Sequence, residues 1–346
     1  MRLLVITQKV DMNDSNLGFF HVWLQKLAER VDHLYVICLQ EGTHTLNKDK
    51  VTVLSLGKET GVSKLKYLWR FYKYIWEYQK SYDGVFVHMN PEYAILGGLF
   101  WKVWNKKVLL WYTHKSVNLK LRLAEKFVNK IFTASKESFR LPSKKVEVVG
   151  HGIPIERFIK DSVLPPTQGL NLFGVGRITP SKDWETVVKA FSELHKGIVI
   201  PQVNLDIAGM PITLEDNKYR DRLYAFSTEF AYSGYTYAQM PLNYQRHHLL
   251  VHTSQTGSVD KVVLEMLASG RIVVTSSQAY ADAVKEGIVY TFPEGDYQEL
   301  ANTIEKIYQS GILSPNNLPN QKAVEYVKKY HNLDDLIGKI INYFTV

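Results

Sequence analysis

Short apolar runs rich in Val, Ile and Leu recur along this chain, and most are followed by a stretch with helical periodicity. A strand that is apolar throughout is buried on both faces, and a helical crossover is the connection a parallel pair requires. The repeat predicts an α/β protein with parallel sheets covered on both sides. Strands are expected near 2–7, 33–38, 51–55, 84–88, 107–112, 130–134 and 145–149, then near 170–175, 203–208, 229–233, 249–253, 271–275 and 287–290. Helices are expected near 17–31, 62–81, 92–104, 117–128 and 136–140, then near 183–195, 212–226, 237–246, 259–269, 279–285, 296–309 and 319–329. Between the two series, Asp161–Gly169 is rich in turn residues and reads as a linker. At 346 residues the chain holds about two domains. These are placed at 1–160 and 170–330, each doubly wound and Rossmann-like, with an amphipathic helix at about 331–346 after them. Two such domains leave a central cleft between their strand ends, and ligands bind at those ends.

Composition removes several classes. The longest apolar runs fall well short of a membrane span. Cys38 is the single cysteine, so no disulfide can form within the chain, which fits a reducing, cytoplasmic compartment. The first apolar run is too short for a signal peptide and reads as a strand. Charge is uneven. Residues 1–160 hold 26 Lys+Arg and 14 Asp+Glu, net +12, and the remainder holds 16 and 20, net −4, which sums to the +8 of the whole chain. The first half therefore faces something anionic.

Two segments of the second half carry chemistry. Glu265 lies in the apolar run Val262–Ala268, which ends at Ser269-Gly270 and leads into another strand. An ionised Glu is rarely buried without a partner, and a ribose with two adjacent hydroxyls is one that a carboxylate can serve. Upstream, Val175-Gly176-Arg177 leaves a strand and reaches Lys182 five residues after Arg177, just before a helix. Strand, glycine turn and helix N-terminus form an anion cradle, because free N–H groups and the helix dipole both favour phosphate.

Together these segments resemble the donor-binding half of family-4 glycosyltransferases, the retaining group with the GT-B fold. The resemblance continues through Leu205–Gly209, the turn Tyr232-Ser233-Gly234-Tyr235, and the Glu265 helix with its Ala268-Ser269-Gly270 end. The first half matches more loosely, through Gly18, Thr113-His114 and Gly150–Ile153. The resemblance implies two Rossmann-like domains facing a cleft, with the C-terminal helix packing back on the first. It implies a donor that is a nucleotide diphosphate sugar, with Arg177 and Lys182 on the diphosphate and Glu265 on the ribose. Gly18 would approach the diphosphate by its backbone, Gly209 and Tyr235 would lie at the donor, and the base would sit near Gly234 and Tyr235. His114 corresponds to a cleft histidine beside the sugar, giving His114, Arg177 and Lys182 as catalytic candidates and Asn90 with His114 on the acceptor side. The acceptor is expected to be a glycan or lipid-linked, in envelope glycan or glycolipid synthesis.

One loop departs from the pattern. The family carries a Glu eight residues before the second one, and that position here is Gly257. Asp260 is the nearest acid; it either reaches the sugar or caps the helix. Backbone N–H groups around Gly257, Ser258, Val259, Asp260 and Lys261 can still hold sugar hydroxyls and phosphate. No Asp-x-Asp occurs, so Arg177 and Lys182 are expected to replace a metal, and no cofactor is implied. His247-His248 reads as a strand boundary rather than a zinc site. The missing first Glu motivates a second reading, a non-catalytic sugar-nucleotide-binding or scaffold protein of the same fold. A dehydrogenase lacks its Gly-x-Gly-x-x-Gly after the first strand, and no nucleic-acid motif accompanies the basic half.

The helix expected at 62–81 interleaves Leu65, Leu68, Trp69, Ile75 and Trp76 with Lys64, Lys66, Arg70, Lys73 and Lys80. Either its apolar side packs inward and a basic face is solvated, or the helix meets an anionic membrane surface from the inner leaflet.

Overall fold

The computed structural model describes residues 1–159, 169–255 and 257–345. Of the expected linker Asp161–Gly169, residues 161–168 lie outside them. The chain divides into two units, Met1–Gly152 with Leu333–Val346, and Ile153–Asn332. The segment from Ile153 thus belongs with the second unit, and a short helix, Glu156–Ile159, forms in it.

The first unit holds β1 (Arg2–Val10), β2 (His33–Glu41), β3 (Val51–Ser55), β4 (Gly84–His88), β5 (Lys107–Trp111), β6 (Lys130–Thr133) and β7 (Val146–Val148). They form one sheet of order β3-β2-β1-β4-β5-β6-β7, with every neighbouring pair parallel. Register follows the apolar pattern: Val5 pairs with Val36 on one side and Phe86 on the other. Successive strand residues alternate between two cores. Leu4, Ile6, Val85, Val87, Val108 and Leu110 face one, which includes Phe71 and Ile75 of the helix Lys64–Glu77, Trp101 of Pro91–Val103, and Leu121 of Leu119–Phe127. Trp111 turns to the other face and meets Trp23 of the helix Gly18–Arg30, their rings 5.0 Å apart. The C-terminal helix Leu333–Thr345 covers that second face as well: Phe132 of β6 lies against its Tyr343. This is the return of the last helix to the first unit.

The second unit holds β8 (Leu170–Val175), β9 (Val203–Ala208), β10 (Ala231–Ser233), β11 (Leu249–His252), β12 (Ile272–Thr275) and β13 (Val289–Thr291). The order is β10-β9-β8-β11-β12-β13, again all parallel. Numbered within the unit this is 3-2-1-4-5-6, so the winding direction reverses between β8 and β11, and the crevice for a ligand opens past their C-terminal ends.

Two helical expectations are corrected. Residues 136–140 form no helix: 137 and 138 make a turn that the Ser135 hydroxyl caps by accepting from the Ser138 N–H at 3.2 Å, and Pro142 disfavours helical backbone at Leu141. In Lys64–Glu77 the inward face is narrower than the spacing suggested. Phe71 and Ile75 are buried, whereas Leu65, Leu68, Trp69 and Trp76 stand exposed.

Candidate functional site

The loop after β8 is shaped by its own backbone. The Gly176 N–H reaches Ala208 O of β9 at 3.0 Å, so the chain leaves β8 pressed against the end of β9. The next residue of that neighbouring strand must be glycine. A Cβ on Gly209 would stand 1.8 Å from the Gly176 carbonyl oxygen, inside any tolerable contact. Pro180–Lys182 then make a single 3₁₀ turn, and Asp183 takes φ +48°, a left-handed conformation uncommon outside glycine. That sharp reversal starts the helix Trp184–Lys196 and turns Lys182 away from it. Trp184 fixes the other half of the loop by donating from Nε1 to Arg177 O at 2.8 Å, while the Arg177 side chain is exposed.

Lys182 is tied to the loop after β11. Its Nζ donates to Ser254 Oγ at 3.0 Å and to Asp260 Oδ2 at 3.3 Å, and its carbonyl accepts from Thr253 Oγ1 at 2.6 Å. The loops past β8 and β11 are therefore knitted together at the point where the sheet reverses. Asp260 is the hub. His252 Nε2, at the end of β11, lies 3.1 Å from the same carboxylate oxygen, and His252 Nδ1 lies 2.9 Å from Thr275 Oγ1. Burial alone would raise the Asp260 carboxyl. The hydrogen bond and charge of His252, with the charge of Lys182, more than offset it and hold the group well below the usual carboxylate range.

Asp260 stands at the N-cap position of the helix Lys261–Ala268, but its side chain makes no capping bond there. Of the two alternatives left open, capping is overturned: the carboxylate is drawn into the Lys182–His252 pair instead. Its N–H donates to the Tyr280 hydroxyl at 2.7 Å, so that donor is already engaged within the protein. Gly257 precedes with φ +60°, Ser258 is half-buried and Val259 is buried.

One turn into that helix, Glu265 is buried among Leu264, Met266 and Leu267. Tyr244 donates to its Oε2 at 2.8 Å. Burial pushes the carboxyl up to about 7, against the Tyr244 bond and the charges of Lys261 and Arg157. Burial likewise lowers Lys261 to about 8, against Glu265 and Asp260. A carboxylate accepts up to about four hydrogen bonds, and the Tyr244 hydroxyl supplies one. Arg157 stacks over the Tyr237 ring at 4.7 Å beside this helix. On the other side of the sheet reversal, the Tyr235 hydroxyl donates to Asp206 Oδ2 at 3.1 Å, which fixes the turn holding Gly234.

In the first unit, Gly18 is buried and opens the helix Gly18–Arg30, its N–H donating to Asp14 O at 3.0 Å. Asn90 precedes the helix Pro91–Val103 at its N-cap, without a side-chain cap bond. His114 is exposed in the loop after β5, its Nδ1 accepting from Ser116 N at 3.1 Å.

The second unit thus gathers Arg177, Lys182, Asp260 and Glu265 around neighbouring loops and one helix. Sequence reasoning missed His252, Ser254, Tyr244 and Tyr280. A signal existed for the first two, which close or follow the strand beside β8. None existed for Tyr244, whose distance of 21 residues from Glu265 has no period. His247 and His248 are structural: His247 stacks on Phe173 at 4.3 Å, and His248 Nδ1 accepts from Asn171 N at 3.0 Å. A pocket of about 420 Å³ opens elsewhere in this unit, lined by Phe158, Gln245, Pro319 and Arg271. Arg271 precedes β12, away from the strand C-termini, and donates to the carbonyls of Gln245 and His247, which marks it as a brace.

The family model of Glycosyl transferases group 1 matches residues 169–310, and the match supports a glycosyltransferase. No curated protein matches the sequence. Among solved structures, Anabaena HepE in complex with UDP is similar over 100% of both chains at 15% identity, with a TM-score of 0.76. Sucrose-phosphate synthase from Thermosynechococcus elongatus is similar over 99% of this chain and 98% of its own, at 14% identity and a TM-score of 0.75. WaaG, a glycosyltransferase involved in lipopolysaccharide biosynthesis, is similar over 99% of both, at 12% identity and a TM-score of 0.70. At these identities the likeness is one of fold, and the fold is GT-B.

Proposed function

We propose that the protein is a retaining glycosyltransferase of family 4 that takes its sugar from a nucleotide diphosphate donor. The observation that carries this is the junction of the loops past β8 and β11. A cation, Lys182, is held there at the sheet reversal by Ser254 and Asp260, and a buried carboxylate lies one helical turn further on. The group 1 match over 169–310 covers both loops. UDP in the similar Anabaena structure supports a nucleoside diphosphate ligand.

In this reading Arg177 and Lys182 bind the diphosphate and stabilise charge on the leaving group. No divalent metal is required. Glu265 binds the ribose: two hydroxyl donors favour the ionised carboxylate and repay part of its desolvation. The sugar lies toward Asp260. The acceptor hydroxyl attacks the anomeric carbon of the donor sugar on the face from which the nucleoside diphosphate departs. The bond from that carbon to the phosphate oxygen breaks and the departing phosphate takes the acceptor's proton, so no side-chain nucleophile is needed. A glycan or lipid-linked acceptor at a cytoplasmic membrane face fits the basic first half. A panel of nucleotide sugars, scored by thermal stabilisation and then by transfer with and without chelator, tests the reading. Absence of stabilisation by every nucleotide diphosphate would reject it. Gly257, in the place of the family's first Glu, favours the second reading, a non-catalytic binder, which stabilisation without either transfer or donor hydrolysis would establish.

A further inference from the structure

On the first unit, three helices lie side by side over one face of the sheet. Tyr72 and Trp76 of Lys64–Glu77 contact Phe100 of Pro91–Val103, with ring centroids 5.6 and 6.4 Å apart. On the far side of that second helix, Lys120 of Leu119–Phe127 pairs with Glu92 at 2.8 Å. Their outer surface carries several large exposed apolar side chains. Leu65 is 78% exposed, Trp69 61%, Trp76 59%, Leu99 61%, Val103 76% and Leu119 70%. Single exposed hydrophobics are ordinary, but a run of them across adjoining helices is rare unless something covers it.

The charge around this face selects the cover. Residues 61–130 contain thirteen Lys+Arg and four Asp+Glu, the acids being Glu77, Asp83, Glu92 and Glu125. Three of the four are paired: Asp83 with Arg2, Glu92 with Lys120 and Glu125 with Lys145. On the first helix, Leu65, Leu68, Trp69, Tyr72 and Trp76 share one arc by their spacing, and Lys66 and Lys73 lie on the arc beside it. Lys73 Nζ lies 5.6 Å from the Trp69 ring centre, so cation and indole share one edge of the helix. Arg70 is half-buried and engaged inward, donating to Leu56 O at 3.1 Å. Indole and leucine flanked by lysine is the composition that rests at a bilayer interface, with rings at headgroup level and ammonium groups among anionic headgroups.

We propose that this three-helix face docks on an anionic lipid bilayer, in plane, with Leu65, Trp69, Trp76, Leu99 and Val103 entering the interface. The inference does not rest on the donor site, and its test contains no sugar. The protein is co-sedimented with vesicles of phosphatidylcholine alone and of phosphatidylcholine with phosphatidylglycerol, at low and high salt, while tryptophan emission is followed. Binding is expected on the anionic vesicles, weakened by salt and accompanied by a blue shift. Lys64, Lys66 and Lys73, each changed to Glu, should lower partitioning by roughly a hundredfold. Trp69→Ser with Trp76→Ser should abolish the blue shift and weaken binding. All five side chains are exposed, so both variants should keep the melting temperature of the parent. Equal binding to neutral and anionic vesicles would overturn the proposal. So would binding that neither variant weakens. A dimer found by sedimentation velocity without lipid, and dissolved by the tryptophan variant, would assign the face to a second copy instead.

Discussion

Replacing Glu265 by Gln removes a buried titration while keeping an acceptor for the Tyr244 hydroxyl. In the folded chain the carboxyl is pushed from its ordinary 4.5 up to about 7. Between those values the folded state holds a proton that the unfolded state has lost. Stability from this group is therefore complete below pH 4.5, falls as pH rises, and is gone above about pH 7. At about 1.4 kcal/mol per pH unit the whole interval is worth roughly 3 kcal/mol, most of which falls between pH 5 and pH 8. The Gln variant carries no such loss, so its stability relative to the parent should rise by that amount over the same range. Urea unfolding of both proteins at pH 5 and pH 8 measures it, taking the transition that the substitution moves. A difference that is flat with pH, or smaller at pH 8, would refute the assignment of a raised Glu265. The same titration reaches the ligand. If ribose hydroxyls favour the ionised carboxylate, nucleotide affinity of the parent rises with pH through about 7. The variant binds more weakly at pH 8, with no such rise.

Arg177→Ala and Lys182→Ala should each cost about 1.5–3 kcal/mol of nucleotide diphosphate affinity with the fold retained, as read by calorimetry. Asp260→Asn frees Lys182 from its carboxylate and should raise affinity for the bare nucleoside diphosphate, while removing acid-range stability. The Asp260 carboxyl is held low when folded, so its contribution is present above its ordinary 3.8 and lost as pH falls below that value, which acid titration by circular dichroism will show. Gly209→Ala drives a Cβ against the Gly176 carbonyl and should destabilise by about 1–3 kcal/mol, weakening nucleotide binding by displacing Arg177. Transfer activity, assayed with and without a chelator, should be unchanged by metal removal, because Arg177 and Lys182 carry the charge on the leaving group. Loss of activity restored by magnesium or manganese would refute that arrangement.

The apolar runs determined the strands, because a short β-branched segment buried on both faces must pair its backbone, and alternation with helical crossovers makes that ladder parallel. All thirteen expected strands are present. The spacing of Gly176, Arg177 and Lys182 between a strand and a helix was equally local, and legible for that reason. What the sequence left open depended on contacts between distant segments. The role of Asp260 could not be read, because capping is a local property while its pairing with Lys182 spans 78 residues. The partner of Glu265 was invisible, since Tyr244 meets it only after β11 has been laid beside β8. Helical periodicity showed that Leu65, Trp69 and Trp76 share one side of their helix. It could not show that Phe71 and Ile75, flanked by half-buried tyrosines, would fill the space over the sheet, leaving that side outward. Periodicity gives the direction of a side chain about its own axis; only packing against a neighbour decides whether that direction is inside or out.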